Sequence, residues 1–138
     1  MRKLPETENA LVLRTDFSDE AAWRAVCAAI QEPNGGFRAN VDCVSDPAFK
    51  DLDKDELLSL AGESPRLTFC FIVDKTTLSS PEHPILVIDL FEEPGRTFRV
   101  IPAEIWGVEN NLSIANMDFA EFADRVHADG VFRGFPKA

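Results

Sequence analysis

With 138 residues, 45% of them hydrophobic and 28% charged, the chain is long enough to bury its own core and is expected to form one globular domain over residues 1–138, with 1–9 as a loose lead-in. The 24 acids outnumber the 14 bases to give a formal charge of −10, and no basic run exists, so neither nucleic acid nor an anionic membrane surface is an expected partner. The opening MRKLPETENA is too polar for a signal-peptide core and no apolar run approaches membrane-spanning length, which makes a cytoplasmic protein the expectation.

ALVLRT (10–15) is a short apolar run ending in polar residues, the pattern of a buried strand. A helix should follow, with Ser18 as its cap, Asp19 and Glu20 in its first turn, and Ala22, Trp23, Val26, Cys27 and Ile30 as its apolar stripe. EPNGG (32–36) breaks that helix, and FRANVDCV (37–44) alternates like a second strand. A second helix over 54–61 is marked at both ends. Asp53 with Glu56 forms a capping box, Leu52 with Leu57 a hydrophobic staple, and Gly62 is the stop. RLTFCFIV (66–73) and ILVIDLF (85–91) are nearly continuous in apolar character and should be central strands, with 74–84 as a long loop between them. The Pro-Gly link EEPGR then leads into TFRVI (97–101), a hairpin partner. Asp118 with Glu121 and Met117 with Phe122 repeat the box and staple, predicting a helix over 119–128 that is closed by a left-handed Gly130, with Val131 touching Val126.

The order is β-α-β-α-β-β-β-α. It predicts an α/β (α+β) fold, a single mixed sheet of about five strands with helices packed against it.

Few motifs point to chemistry. Phosphate-binding and nucleophile-elbow glycine patterns are absent from the sequence. DLDKDE, from Asp51, starts like a calcium loop, but Glu56 occupies the position that needs Gly, and Gly62 the one that needs a bidentate Glu. Two histidines, His83 and His127, cannot build a His-rich metal site, and no metal or cofactor is expected. His127 should lie in the last turn of the C-terminal helix, where positive charge is favourable. Cys27, Cys43 and Cys70 form no CxxC pair. Cys27 and Cys70 sit in apolar patterns that keep thiols inert, while the setting of Cys43 stays open.

Asn110 and Asn111, beside Glu109, lie in what should be an irregular segment whose backbone their amides would hold, and Asn116 should cap a turn. In GVFRGF two phenylalanines can anchor the tail on the core while Arg133 reaches a carboxylate, Asp16 or Glu109. Between Asp42 and Glu63 seven acids face two lysines, a local charge of −5 that could steer a basic partner.

RTDFSD (14–19), ENNLSIANMDFAEF (109–122) and GVFRGF (130–135) resemble the signature segments of a family of small, uncharacterised microbial proteins known only as a domain of unknown function. The resemblance implies a single-domain protein and transfers no activity, substrate or catalytic residue.

Two functions are consistent with these residues. The favoured one is a non-catalytic cytoplasmic protein-binding domain, immunity- or inhibitor-like, a monomer or weak homodimer whose acidic face (Asp51, Asp53, Asp55, Glu56) engages a basic protein. The other is a small enzyme or metabolite-binding protein. Its polar pocket would lie at the carboxyl end of the first strand, where Arg14, Asp16, Glu109, Asn110, Asn111 and Arg133 would converge if the tail folds back.

Overall fold

A computed structural model describes residues 3–64 and 66–135; the first two residues of the expected lead-in and the last three of the chain lie outside them. The elements run β1 (Ala10–Arg14), α1 (Glu20–Gln31), β2 (Val41–Val44), α2 (Lys54–Ala61), β3 (Phe69–Val73), α3 (Lys75–Ser79), β4 (Ile85–Asp89), β5 (Thr97–Val100), α4 (Ile105–Ser113), α5 (Phe119–Ala123) and β6 (Val131–Phe132), with 3-10 turns at Pro47–Phe49 and Pro102–Glu104. The strands form one sheet in the order β2-β1-β3-β4-β5-β6. β1 is parallel to β2 and β3, β4 is antiparallel to β3 and β5, and β6 is parallel to β5. The expected mixed sheet with packed helices therefore stands, with six strands where about five were expected.

Strand alternation sorts the apolar side chains into two layers. Val12, Phe71, Val87, Phe98 and Phe132 face α1, α4 and α5 through Val26, Val108 and Phe122. Leu11, Leu13, Cys70, Ile72 and Ile88 face Phe49, Leu57 and Ala61 on the other side. The connection through α1 carries the chain from β1 outward to β2. The connection through α2 returns it across the opposite face to β3, so the direction of winding reverses between β1 and β3. In open sheets the carboxyl ends of two such strands flank the crevice where ligands bind.

Local chemistry explains most departures from expectation. Asp19, not Ser18, caps α1, its carboxylate accepting the Ala22 N–H at 2.9 Å. The Ser18 hydroxyl is instead turned toward the Asp16 carboxylate, which it reaches at 2.5 Å. The capping box on α2 forms as expected. Residues 74–84 are not all loop: Asp74 and Thr77 cap a short α3. β4 ends at Asp89, because that buried carboxylate accepts from the N–H groups of Phe91, Glu92 and Glu93 at 3.0, 3.3 and 2.8 Å and turns the chain. Phe91, expected in a central strand, is therefore 70% exposed. Residues 3–9 carry no regular element, but Leu4 is buried against the α2 layer and Asp42 accepts bonds from Thr7 and Asn9, so the lead-in is fastened.

The largest departures lie near the C-terminus. Asn110 and Asn111, expected in an irregular segment, lie in α4. The helix expected over 119–128 stops at Ala123, which places His127 outside it. Gly130 is left-handed (φ +82), as expected, but it turns the chain into β6 rather than closing a helix. Val131 then pairs with Arg99 and Phe132 with Val100. Pairing along an open sheet edge outweighs about one and a half further turns of a short helix.

Candidate functional site

Arg14 ends β1 and points into the α1 layer, only 3% exposed. Its guanidinium donates to both Glu20 carboxylate oxygens (3.2 and 3.3 Å), to Ser45 Oγ (3.2 Å) and to the Asp16 carbonyl (3.1 Å), and lies 4.4 Å from the Phe17 ring centre and 5.3 Å from that of Trp23. Asp16 accepts from Ser18 Oγ and from the Ser18 N–H, and these bonds hold its carboxyl below the usual range. Arg14 and Asp16 thus lie together at the end of the first strand, joined through the Asp16 carbonyl.

The remaining expected members sit elsewhere. Glu109, on α4, is 3% exposed and reaches the residue that precedes β2. It accepts from the Asn40 N–H at 2.6 Å and from Ser113 Oγ at 2.5 Å. That places it at the amino ends of β1 and β2, one strand length (roughly 15 Å) from Arg14. Asn110 and Asn111 donate to the carbonyls one turn back, those of Trp106 and Gly107, each at 2.7 Å. Asn111 also accepts from the Asn116 amide at 2.8 Å, joining the end of α4 to the turn before α5.

Arg133 pairs with neither Asp16 nor Glu109. It grips Glu82 through two 2.8 Å bonds and Asp129 at 2.6 Å, which raises its own pKa and lowers those of both carboxyls. The reason is topological. The tail adds β6 beyond β5, four strand spacings (roughly 19 Å) from β1, instead of folding back over β1. The six residues expected to converge are therefore divided among three separate networks.

A cavity of about 200 Å³ does open near the carboxyl ends of β1 and β3, on the α2 side. Ile72, Leu86 and Ile88 line it with apolar surface, and Thr15, Asp53, Lys54 and Asp74 supply its polar groups. Sequence reasoning missed Thr15 and Asp74 here, although Asp74 directly follows an apolar run, the position where strand-end ligands sit. Asp74 is held by Arg99 through bonds of 3.0 and 2.7 Å while capping Thr77. Burial alone would raise the Asp74 carboxyl, but the Arg99 and Thr77 bonds together outweigh it and keep the group below its ordinary 3.8. A carboxyl with a lowered folded pKa contributes stability above its unfolded pKa and loses it as pH falls through the folded value. Arg99→Gln should therefore cost about 2 kcal/mol at pH 7 and flatten the fall in the urea midpoint below pH 3.8, measured between pH 6 and 2.5.

Asp51, Asp53 and Asp55 are exposed at the start of α2, with Glu56 half-buried. Asp53 caps the Glu56 N–H at 2.8 Å, and among the described residues Asp51, Asp53 and Asp55 form no ion pair. The β4–β5 hairpin lies against this helix: a Cβ on Gly95 would stand 3.5 Å from Leu58 and 3.9 Å from Lys54. Phe91, Glu92 and Glu93 are exposed on that hairpin, where Phe91 and Glu92 border Met117 and Asp118 on the α4–α5 side, so a second acidic patch surrounds a protruding ring. Among the described residues no group of three or more His, Cys, Asp or Glu could hold a metal, and no helix is long and apolar enough to cross a membrane.

Together these features define an α+β protein whose mixed sheet carries helices on both faces and whose buried charged side chains are all hydrogen-bonded, Arg14 to Glu20 and Ser45, Asp89 and Glu109 to backbone N–H groups. The chain belongs to the DUF6924 family, a domain of unknown function, whose model matches residues 9–135. No curated protein matches it.

Proposed function

We propose that this protein is a non-catalytic protein-binding domain, acting in the cytoplasm as a monomer or weak homodimer, that engages a basic partner in the manner of an immunity or inhibitor protein. The observation that carries this reading is Phe91, 70% exposed on a hairpin beside Glu92 and Glu93 and bordered by Asp118. An aromatic anchor ringed by charge of one sign suits a partner of the opposite sign: the ring supplies affinity and the carboxylates speed encounter. Arg14, Arg96, Arg99 and Arg133 are each tied to carboxylates, so the surplus charge of the chain is negative and outward.

The test is capture from native lysate on immobilised protein, followed by affinity measurement on whatever is retained. Phe91→Ala should weaken the complex roughly 30-fold without unfolding the protein. Asp51→Asn with Asp55→Asn should slow association about tenfold at low salt and have little effect at 1 M. Asn is chosen at 51 because that residue has φ +59, where Asn and Asp are tolerated. Retention of no protein, or of one indifferent to both changes, defeats the proposal.

The cavity between Thr15 and Asp74 favours one second reading, a metabolite-binding or enzymatic site at the end of the first strand. Its polar groups suit a small molecule carrying both an amine and a carboxylate, for Asp53 and Lys54 supply the opposite charges. A thermal-shift screen of such compounds that raises the melting temperature of the wild type but not of Lys54→Gln would favour this reading over the first.

A further inference from the structure

The three thiols occupy different surroundings. Cys70 is wholly buried in β3, and burial pushes its thiol up to about 12. Cys27 on α1 and Cys43 on β2 are only half-buried, and both pack on the same core layer. The fold brings them together although they are distant in sequence. The β1-α1-β2 connection lays α1 over the strands it joins, Cys43 shares the α1-facing side of edge strand β2 with Val41, and Cys27 lies one helical turn before Gln31. Cys27 and Cys43 therefore face each other from α1 and β2, with Gln31 beside them, near enough for each thiol to shift the titration of the other.

We propose that Cys27 and Cys43 form a redox-active dithiol that a hydroperoxide converts to an intramolecular disulfide, joining α1 to the edge strand β2. The two sulfurs divide the work. Cys43, whose pKa is lowered by the neighbouring Cys27 and Gln31 side chains, is the attacking thiolate. Cys27, whose pKa is raised by the neighbouring Cys43 and by burial, remains the thiol. The Cys43 thiolate attacks the terminal oxygen of the hydroperoxide. The O–O bond breaks, the alkoxide or hydroxide leaves and takes up the proton that Cys43 had lost, and Cys43 becomes a sulfenic acid. The Cys27 sulfur then attacks the Cys43 sulfur, the S–O bond breaks, and the departing hydroxide takes the Cys27 proton to leave as water. Two electrons pass from the sulfur pair to the peroxide, and the balance closes without a metal or cofactor. Cys70 serves as an internal control, since its burial keeps it out of both steps.

The test uses the wild-type chain, reduced and then treated with a few equivalents of hydrogen peroxide. The expected result is a mass loss of about 2 Da, one remaining thiol that titrates only after unfolding, and a single disulfide mapped to Cys27 and Cys43. Cys27→Ser should stop at a sulfenic acid on Cys43 that dimedone traps, whereas Cys43→Ser should consume peroxide at least about tenfold more slowly. Three free thiols in the treated wild type, disulfide-linked dimers in place of the internal bond, or equal peroxide rates for the two variants would overturn the proposal.

Discussion

Phe122→Ala should lower stability by about 4 kcal/mol and the melting temperature by 10 °C or more, the largest loss expected of any single truncation in the C-terminal third. Phe122 is 1% exposed and is the hub of the aromatic cluster. Its ring stands 6.2 Å from Phe98 on β5, 5.2 Å edge-to-face from Phe132 on β6, and 5.6 Å from Phe135. The helix that carries it is five residues long and β6 is two, so neither has the length to persist alone. The expected loss is therefore regional as well as global. Hydrogen exchange in Phe122→Ala should accelerate over 119–135 while β1 and β3 stay protected up to the new global limit. A urea midpoint that moves by less than the equivalent of 1 kcal/mol would mean that the Arg96–Asp124 and Arg133–Glu82 pairs hold this layer without the ring. Those pairs are largely solvent-exposed on the carboxylate side, and surface pairs of that kind contribute little.

How much of this was legible beforehand depends on whether the signal was local. The α2 capping box is written in four consecutive residues, Asp53 to Glu56, and formed as expected. The apolar strand centres at 69–73 and 85–89 were equally plain, since burial on both faces demands such runs. The strand end at Asp89 was not plain. Its carboxylate sits inside an apolar run, and only the folded chain shows it gathering three N–H groups into a turn. That one side chain determines whether Phe91 belongs to the core or to the surface, and with it the most informative residue of the binding proposal. The α4 segment was hidden for another reason. Asn110 and Asn111 are poor helix formers, but each bonds to a carbonyl one turn back, and Ile105 and Val108 bury the helix. In GVFRGF the two anchors were read correctly, as both phenylalanines pack on Phe122. The partner of Arg133 was not, because a sequence does not say on which edge of the sheet its last strand will add. For the same reason the Cys27–Cys43 juxtaposition had no local trace.

Glu109→Ala should cost about 3 kcal/mol, and this substitution separates a fastener from a binding group. In the wild type the carboxylate reaches from α4 to the Asn40 N–H ahead of β2 while accepting from Ser113 on its own helix. Truncation removes the partner of the part-buried Asn40 N–H and of the Ser113 hydroxyl and leaves a cavity behind α4. Glu109→Gln keeps one carbonyl oxygen for Asn40 and presents its amide to the Ser113 hydroxyl oxygen, so it should lose only about 1 kcal/mol. A double-mutant cycle with Ser113→Ala should give a coupling near 1 kcal/mol, with the second substitution costing almost nothing once the carboxylate is gone. Groups held ready for a ligand behave in the opposite way: they are kept at the expense of stability, and replacing them raises it. A rise in the urea midpoint for Glu109→Gln would thus argue that α4 carries a site, whereas a graded loss from Gln to Ala assigns this buried acid to holding α4 against the amino ends of β1 and β2.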